Sequence, residues 1–108
     1  MKIVRLDDGG VVRLQIRGEL DLATADRITE QVDQVLAGPP PGQLVVDLAG
    51  LTFCDSTGID ALINAREAAR ARGAGFRVVR PRGIVRRVLH ATGKFELLTG
   101  EKPAALRP

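Results

Sequence analysis

The sequence predicts an α/β fold: a mixed sheet, an opening antiparallel hairpin followed by mostly parallel strands, packed with amphipathic helices. Three observations carry this. Short apolar or alternating runs are separated by stretches with helical spacing, so strands and helices take turns along the chain. An Asp-Asp-Gly-Gly tetrapeptide joins the first two runs. The run Leu44-Val45-Val46 is apolar on both faces, as in a strand covered from two sides.

Each element follows from its residues. Ile3–Leu6 and Val11–Gly18 read as strands joined by Asp7-Asp8-Gly9-Gly10, whose residues supply the positive φ of a tight hairpin. In the second, Val12, Leu14 and Ile16 alternate with Arg13, Gln15 and Arg17, giving one buried and one wet face. Gly18-Glu19-Leu20-Asp21 ends it, and Thr24 is placed to cap a helix along Ile28, Val32, Val35 and Leu36. Gly38 as a C′ residue and Pro39-Pro40-Pro41 close that helix. After the central strand, a second helix is expected from about Gly58 to Arg72, with Ile59, Leu62, Ile63 and Ala69 inward and Asp60, Arg66, Glu67 and Arg70 outward. Arg70 and Arg72 would complement its dipole and Gly73 would end it. Phe76–Val79 is the next strand, stopped by Pro81. A third helix follows, with Ile84, Val85, Val88 and Leu89 on one face and Gly93 at its end. Phe95, Leu97 and Leu98 are expected to form a last short strand. The core then spans about residues 3–100 of a single domain, and 101–108, with two prolines, form a loosely held tail.

Composition narrows the function. The chain has 108 residues, 44% hydrophobic and 27% charged, with three Phe and no Tyr or Trp. That is enough for one aliphatic core without staples. The lone Cys54 precludes an internal disulfide and reads as a small buried hydrophobe. No stretch approaches the ~20 apolar residues of a membrane span, and no leader is seen, so a cytoplasmic setting is expected. Net charge is +3, yet residues 1–60 carry −5 and residues 61–108 carry +8. Thirteen arginines stand against three lysines. Without interleaved aromatics or a recognition helix, this basic half argues for a solvated face or docking patch rather than direct nucleic-acid contact.

The chemistry concentrates at Asp55-Ser56-Thr57-Gly58. Ser56 lies at a strand-to-helix turn, but Cys-Asp-Ser-Thr-Gly lacks the glycine of a nucleophile elbow. The only histidine, His90, falls on the polar side of the third helix. One Cys and one His make no structural zinc site. Asp47, Asp55 and Asp60 match no metal loop and read as capping and solvated residues. Nucleotide-binding glycine loops are absent, so no cofactor is called for. Ser56 or Thr57 remains as a helix cap, with Thr57-x-x-Asp60 as a capping-box variant. A hydroxyl so placed also accepts a phosphate that concentrates charge beside Asp55 and Asp21 and works on an interface rather than on the fold.

On these residues the sequence resembles the STAS domain, specifically the bacterial anti-sigma factor antagonists. Gly18–Asp21, Leu44–Leu48 with Leu51-Thr52-Phe53, Asp55–Gly58 and Ile84–Gly93 carry the resemblance. It implies a non-enzymatic partner switch. When unphosphorylated, such a protein binds an anti-sigma factor that is also a serine kinase and so frees a sigma factor. Phosphorylation at the residue matching Ser56, with Thr57 secondary, ends the interaction, and a metal-dependent serine/threonine phosphatase restores it. Asp21 is implied to help dock or orient the kinase. The partner-binding set is then Asp21, Asp55, Ser56, Thr57, Gly58 and Asp60. Ile59-Asp60 stands where many members have Leu-Gly, which makes Asp60 a candidate for this chain's own recognition. Cys54 replaces a larger apolar residue. A constitutive STAS scaffold or transporter-associated subunit, without a phosphate cycle, needs the same fold. Oligomeric state has no signal in the sequence.

Overall fold

The computed structural model describes residues 1–102. The elements are β1 (Lys2–Asp8), β2 (Val11–Leu20), α1 (Ala25–Ala37), β3 (Gln43–Cys54), α2 (Ser56–Ala71), β4 (Gly75–Val79), α3 (Gly83–Ala91) and α4 (Phe95–Thr99). The expected tail lies mostly outside the described residues.

The sheet has the order β1-β2-β3-β4, with β1 antiparallel to β2 and the other pairs parallel. Gly9 and Gly10 both take positive φ in the hairpin, as its sequence requires. Two crossovers, β2-α1-β3 and β3-α2-β4, lay α1 against α2. Register then sorts the faces: Leu14 sits beside Val46 and Val46 beside Val78, while Gln15 sits beside Asp47 and Asp47 beside Val79. Leu14, Val46 and Val78 join one buried cluster with residues of all four helices. The opposite face, bearing Arg13, Gln15 and Arg17, has no helix in that cluster behind it.

Several expectations change. β3 runs on to Cys54, so the lead-in to the turn is itself strand. Gly38 ends α1 in an extended conformation rather than as a left-handed C′ residue. Thr24 occupies the N-cap of α1 but spends its hydroxyl elsewhere, as described below. Arg72 donates to the carbonyls of Leu36 and Gly38, closing the C-terminus of α1 rather than of its own helix. Gly73, at φ 76°, does end α2, with Gly73 N–H to Arg70 O and Ala74 N–H to Ala69 O. On α3 only Val85 and Leu89 are buried; Ile84 faces outward, and Val88 is partly covered.

The expected last strand is α4. Phe95 and Leu98 are buried three residues apart while Leu97 is exposed, which is helical spacing. Gly100 in the left-handed region caps it. α4 packs against β4 without extending the sheet.

Candidate functional site

Parallel pairing of β2 with β3 brings Leu20 beside Cys54, so both strands leave the sheet at the same edge. Loops beyond the carboxyl ends of parallel strands are where open α/β sheets build their sites. Here those loops are residues 21–24 and the Asp55 turn, stitched together by Asp55 N–H donating to Leu20 O at 3.3 Å.

The first loop is pinned by its own polar atoms. Asp21 Oδ1 accepts the Ala23 N–H at 2.9 Å. Thr24 Oγ1 accepts the Asp21 N–H and donates to Glu19 O, both at 3.0 Å. Asp21 O in turn accepts from Thr24 N–H and Ala25 N–H. Such side-chain turns hold a short loop in one conformation. This is where the Thr24 hydroxyl goes.

The second loop corrects the expected cap. Asp55, not Ser56 or Thr57, is the N-cap of α2, and its Oδ1 accepts the Gly58 N–H at 2.9 Å. The capping-box reading of Thr57 and Asp60 fails with it, since the helix already starts at Ser56. Gly58 is the position that fixes this register. A Cβ there would stand 2.7 Å from Leu20 O, 2.8 Å from Leu20 Cγ and 2.9 Å from Cys54 Sγ. The first turn of α2 therefore sits directly on the ends of β2 and β3. Ser56 and Asp60 are exposed, Asp55 and Thr57 are half-buried, and Gly58 is buried. Of the six sequence candidates, Asp21, Asp55 and Ser56 thus gather at one edge, Thr57 follows half-buried in the first turn of α2, Gly58 is a packing residue, and Asp60 lies one turn into the helix.

Electrostatically this edge is acidic. Glu19, Asp21, Asp55 and Asp60 enter no ion pair among the described residues. Burial, and secondarily the neighbouring Asp55 carboxylate, push the Cys54 thiol up to about 12, so it is neutral and inert. His90 stacks on Phe95 with ring centroids 4.1 Å apart. Among the described residues no group of three His, Cys, Asp or Glu is placed to hold a metal. Nor is any helix long and apolar enough to cross a membrane. What the edge offers is an exposed, unactivated hydroxyl amid carboxylates on a rigid base.

Sequence reasoning missed Asp47. Instead of a solvated residue it is 2% exposed, on the open sheet face. Arg80 grips both its oxygens, Arg13 donates to Oδ2 at 3.3 Å, and the Ala49 N–H to Oδ1 at 3.0 Å. Burial pushes its carboxyl up, but these donors outweigh that and hold it below the ordinary value. Arg80 adopts φ 54°, rare for a side-chain-bearing residue, ahead of Pro81. The only sequence signal was a charged residue inside an apolar run, with its partner 33 residues away.

A small mixed sheet, helices on one face and a serine exposed at a strand-to-helix edge define the class. The chain belongs to the STAS domain family, whose profile matches residues 2–104. Among individual relatives, it is 36% identical over 87 residues to the anti-sigma-F factor antagonist RsfB of Mycobacterium tuberculosis, covering 81% of this chain and 70% of RsfB. Its fold superposes on the crystal structure of an anti-sigma factor antagonist from Mycobacterium paratuberculosis with TM-score 0.78 and 32% identity, covering 90% and 81% of the two chains. A sulfate transporter family protein from Wolinella succinogenes shares the fold, with TM-score 0.74 at 22% identity over 88% and 76% of the chains.

Proposed function

We propose that this chain is an anti-sigma factor antagonist that works by partner switching at Ser56. In the unphosphorylated form the Ser56 edge binds an anti-sigma factor with serine kinase activity, and the sigma factor held by it is released. The kinase transfers the γ-phosphoryl group of ATP to Ser56 Oγ, the hydroxyl gives up its proton, and ADP leaves. A serine/threonine phosphatase hydrolyses the ester and resets the switch. The chain itself catalyses nothing in this cycle, which takes place in the cytoplasm.

The observation that carries this reading is the division between neighbours. Asp55 makes the cap bond and Ser56, at the first helical position, is exposed. A phosphate adds about −1.5 to −2 charge at neutral pH. Near a helix N-terminus that charge leaves the helix intact, but among Asp21, Asp55 and Asp60 it makes the edge strongly anionic. Binding a partner would then bury a dianion where a small hydroxyl had fitted. Thr57, half-buried, is the poorer acceptor. Identities of 36% and 32% to two antagonists, over four fifths or more of this chain, favour this reading over a scaffold without a phosphate cycle.

The test uses the cognate kinase and ATP. Mass spectrometry should find one phosphate on Ser56, and Ser56→Ala should remain unmodified yet bind the kinase. Ser56→Asp should bind poorly. Tight binding by Ser56→Asp would remove the charge mechanism.

A further inference from the structure

Exposed large apolar side chains scattered singly are ordinary on a folded surface. Two on this chain are not scattered. Leu22 is 78% exposed, and Phe53 is 38% exposed. Leu22 lies two residues beyond the end of β2 and Phe53 one residue before the end of β3, on strands that pair in parallel at Leu20 and Cys54. Both therefore flank the edge that presents Ser56.

Leu22 is not exposed through slackness of its loop. Its neighbours are tied by the Asp21 carboxylate to Ala23 N–H and by the Thr24 hydroxyl to Asp21 and Glu19. A leucine held out on a braced loop leaves its apolar area in water without any packing return within the chain. Phe53 pairs in register with Glu19, while its chain neighbour Cys54 is buried. Glu19, in register with Phe53, Asp21, adjoining Leu22, and Asp60, one turn into α2, enter no ion pair among the described residues, in a chain whose net charge is +3. Apolar anchors within a charged, solvated rim are the anatomy of a docking surface.

We infer that Leu22 and Phe53 are the apolar anchors of the Ser56 edge, and that they fit a protein partner offering two apolar pockets rimmed by arginine or lysine. This rests on the reading that the Ser56 edge docks an anti-sigma factor, and adds what that partner must look like. The anchors supply affinity, the carboxylate rim supplies steering and register, and Ser56 lies at the same end of the sheet, where a neutral group is required.

The experiment titrates purified anti-sigma factor kinases of the same cell against wild-type chain, Ser56→Asp, Leu22→Ser, Phe53→Ser, Glu19→Gln/Asp60→Asn and Leu6→Ser, at two salt concentrations. Leu6, 46% exposed on β1, is the control for loss of an exposed apolar side chain away from the edge. Thermal melts check that each variant folds. Leu22→Ser and Phe53→Ser should each weaken binding roughly ten- to hundredfold, and Leu6→Ser should leave it unchanged. Glu19→Gln/Asp60→Asn should weaken it and flatten its salt dependence. If both anchor variants bind within about twofold of wild type while Ser56→Asp does not bind, the anchors are refuted and the switch stands. If no anti-sigma factor binds the wild-type chain, the switch reading fails and the anchors fail with it.

Discussion

Gly58→Ala sets two effects of opposite sign against each other, and the structure decides between them. In a helix, alanine is preferred to glycine by about 1 kcal/mol. Propensity alone thus forecasts a more stable protein. The new Cβ, however, would stand 2.7 Å from Leu20 O, which is backbone and has no rotamer to escape into. Two further atoms, Leu20 Cγ and Cys54 Sγ, lie within 2.9 Å. Overpacking a close-packed site costs about 1–3 kcal/mol, and a clash with backbone falls in the upper part of that range. The net expectation is a loss of about 1–2 kcal/mol. At roughly 4–8 °C per kcal/mol for a domain of this size, thermal and urea melts resolve it easily. Relief must come from lifting the first turn of α2, which also stretches the Gly58 N–H to Asp55 bond and moves Ser56. Adding Cys54→Ala removes one of the three contacts and leaves the carbonyl, so a double-mutant cycle should show partial coupling. A Gly58→Ala variant as stable as wild type would refute the close seating of α2 on the strand ends.

Three other outcomes follow from named contacts. Asp47→Asn should cost about 1–2 kcal/mol at neutral pH, the modest size reflecting the solvent exposure of Arg13 and Arg80. Because the folded carboxyl is held below its ordinary value, its contribution is full above the usual Asp range and fades as pH falls through the lower folded value. Urea melts from pH 7 down to pH 2 should therefore converge for wild type and Asp47→Asn; parallel curves would show that Asp47 does not titrate as its donors require. Cys54, buried with its thiol raised to about 12, should resist a disulfide reagent at pH 8 until denaturant is added. Asp55→Ala should lose about 1 kcal/mol of stability as the cap bond disappears, whereas Ser56→Asp should change stability by less than about 0.5 kcal/mol, both by melts.

The strands and the longer helices were legible because their apolar periods differ and their stops are chemically distinct. Gly73 illustrates this: a left-handed residue after a basic turn could end a helix and do little else. The expected last strand failed because Phe95-Glu96-Leu97-Leu98 has apolar residues at both spacings. Only tertiary packing, with α4 against β4 and Phe95 stacked on His90 of α3, settles the choice. The cap, expected at Ser56 or Thr57, falls one or two residues earlier because Asp, Ser and Thr are all good caps in succession. What selects Asp55 is the absence of a Cβ at Gly58, a tertiary fit with Leu20 that no local pattern contains. Asp47 was illegible for the same reason at longer range. Its burial is affordable only with Arg80 and Arg13 in place, and neither neighbours it in sequence.

The move of the cap to Asp55 alters the physics of the edge. A serine that capped α2 would hold a backbone N–H, and phosphorylating it would put the helix start and the switch in competition for one oxygen. With Asp55 holding Gly58 N–H, Gly58 seating the turn, and Asp21 and Thr24 bracing the neighbouring loop, the structural tasks at the edge belong to other side chains. Ser56 is left exposed with none of them. A charge placed there is favoured by the helix terminus and opposed by the surrounding carboxylates, two effects of similar size, each below about 1 kcal/mol when solvated. They nearly cancel in the free chain. They cannot cancel in a complex, where water that screened the carboxylates is excluded and the added charge must be desolvated. Phosphorylation of Ser56, as proposed, would thus be almost neutral for folding and strongly unfavourable for docking, and that difference is what a switch acting on partners rather than on the fold requires.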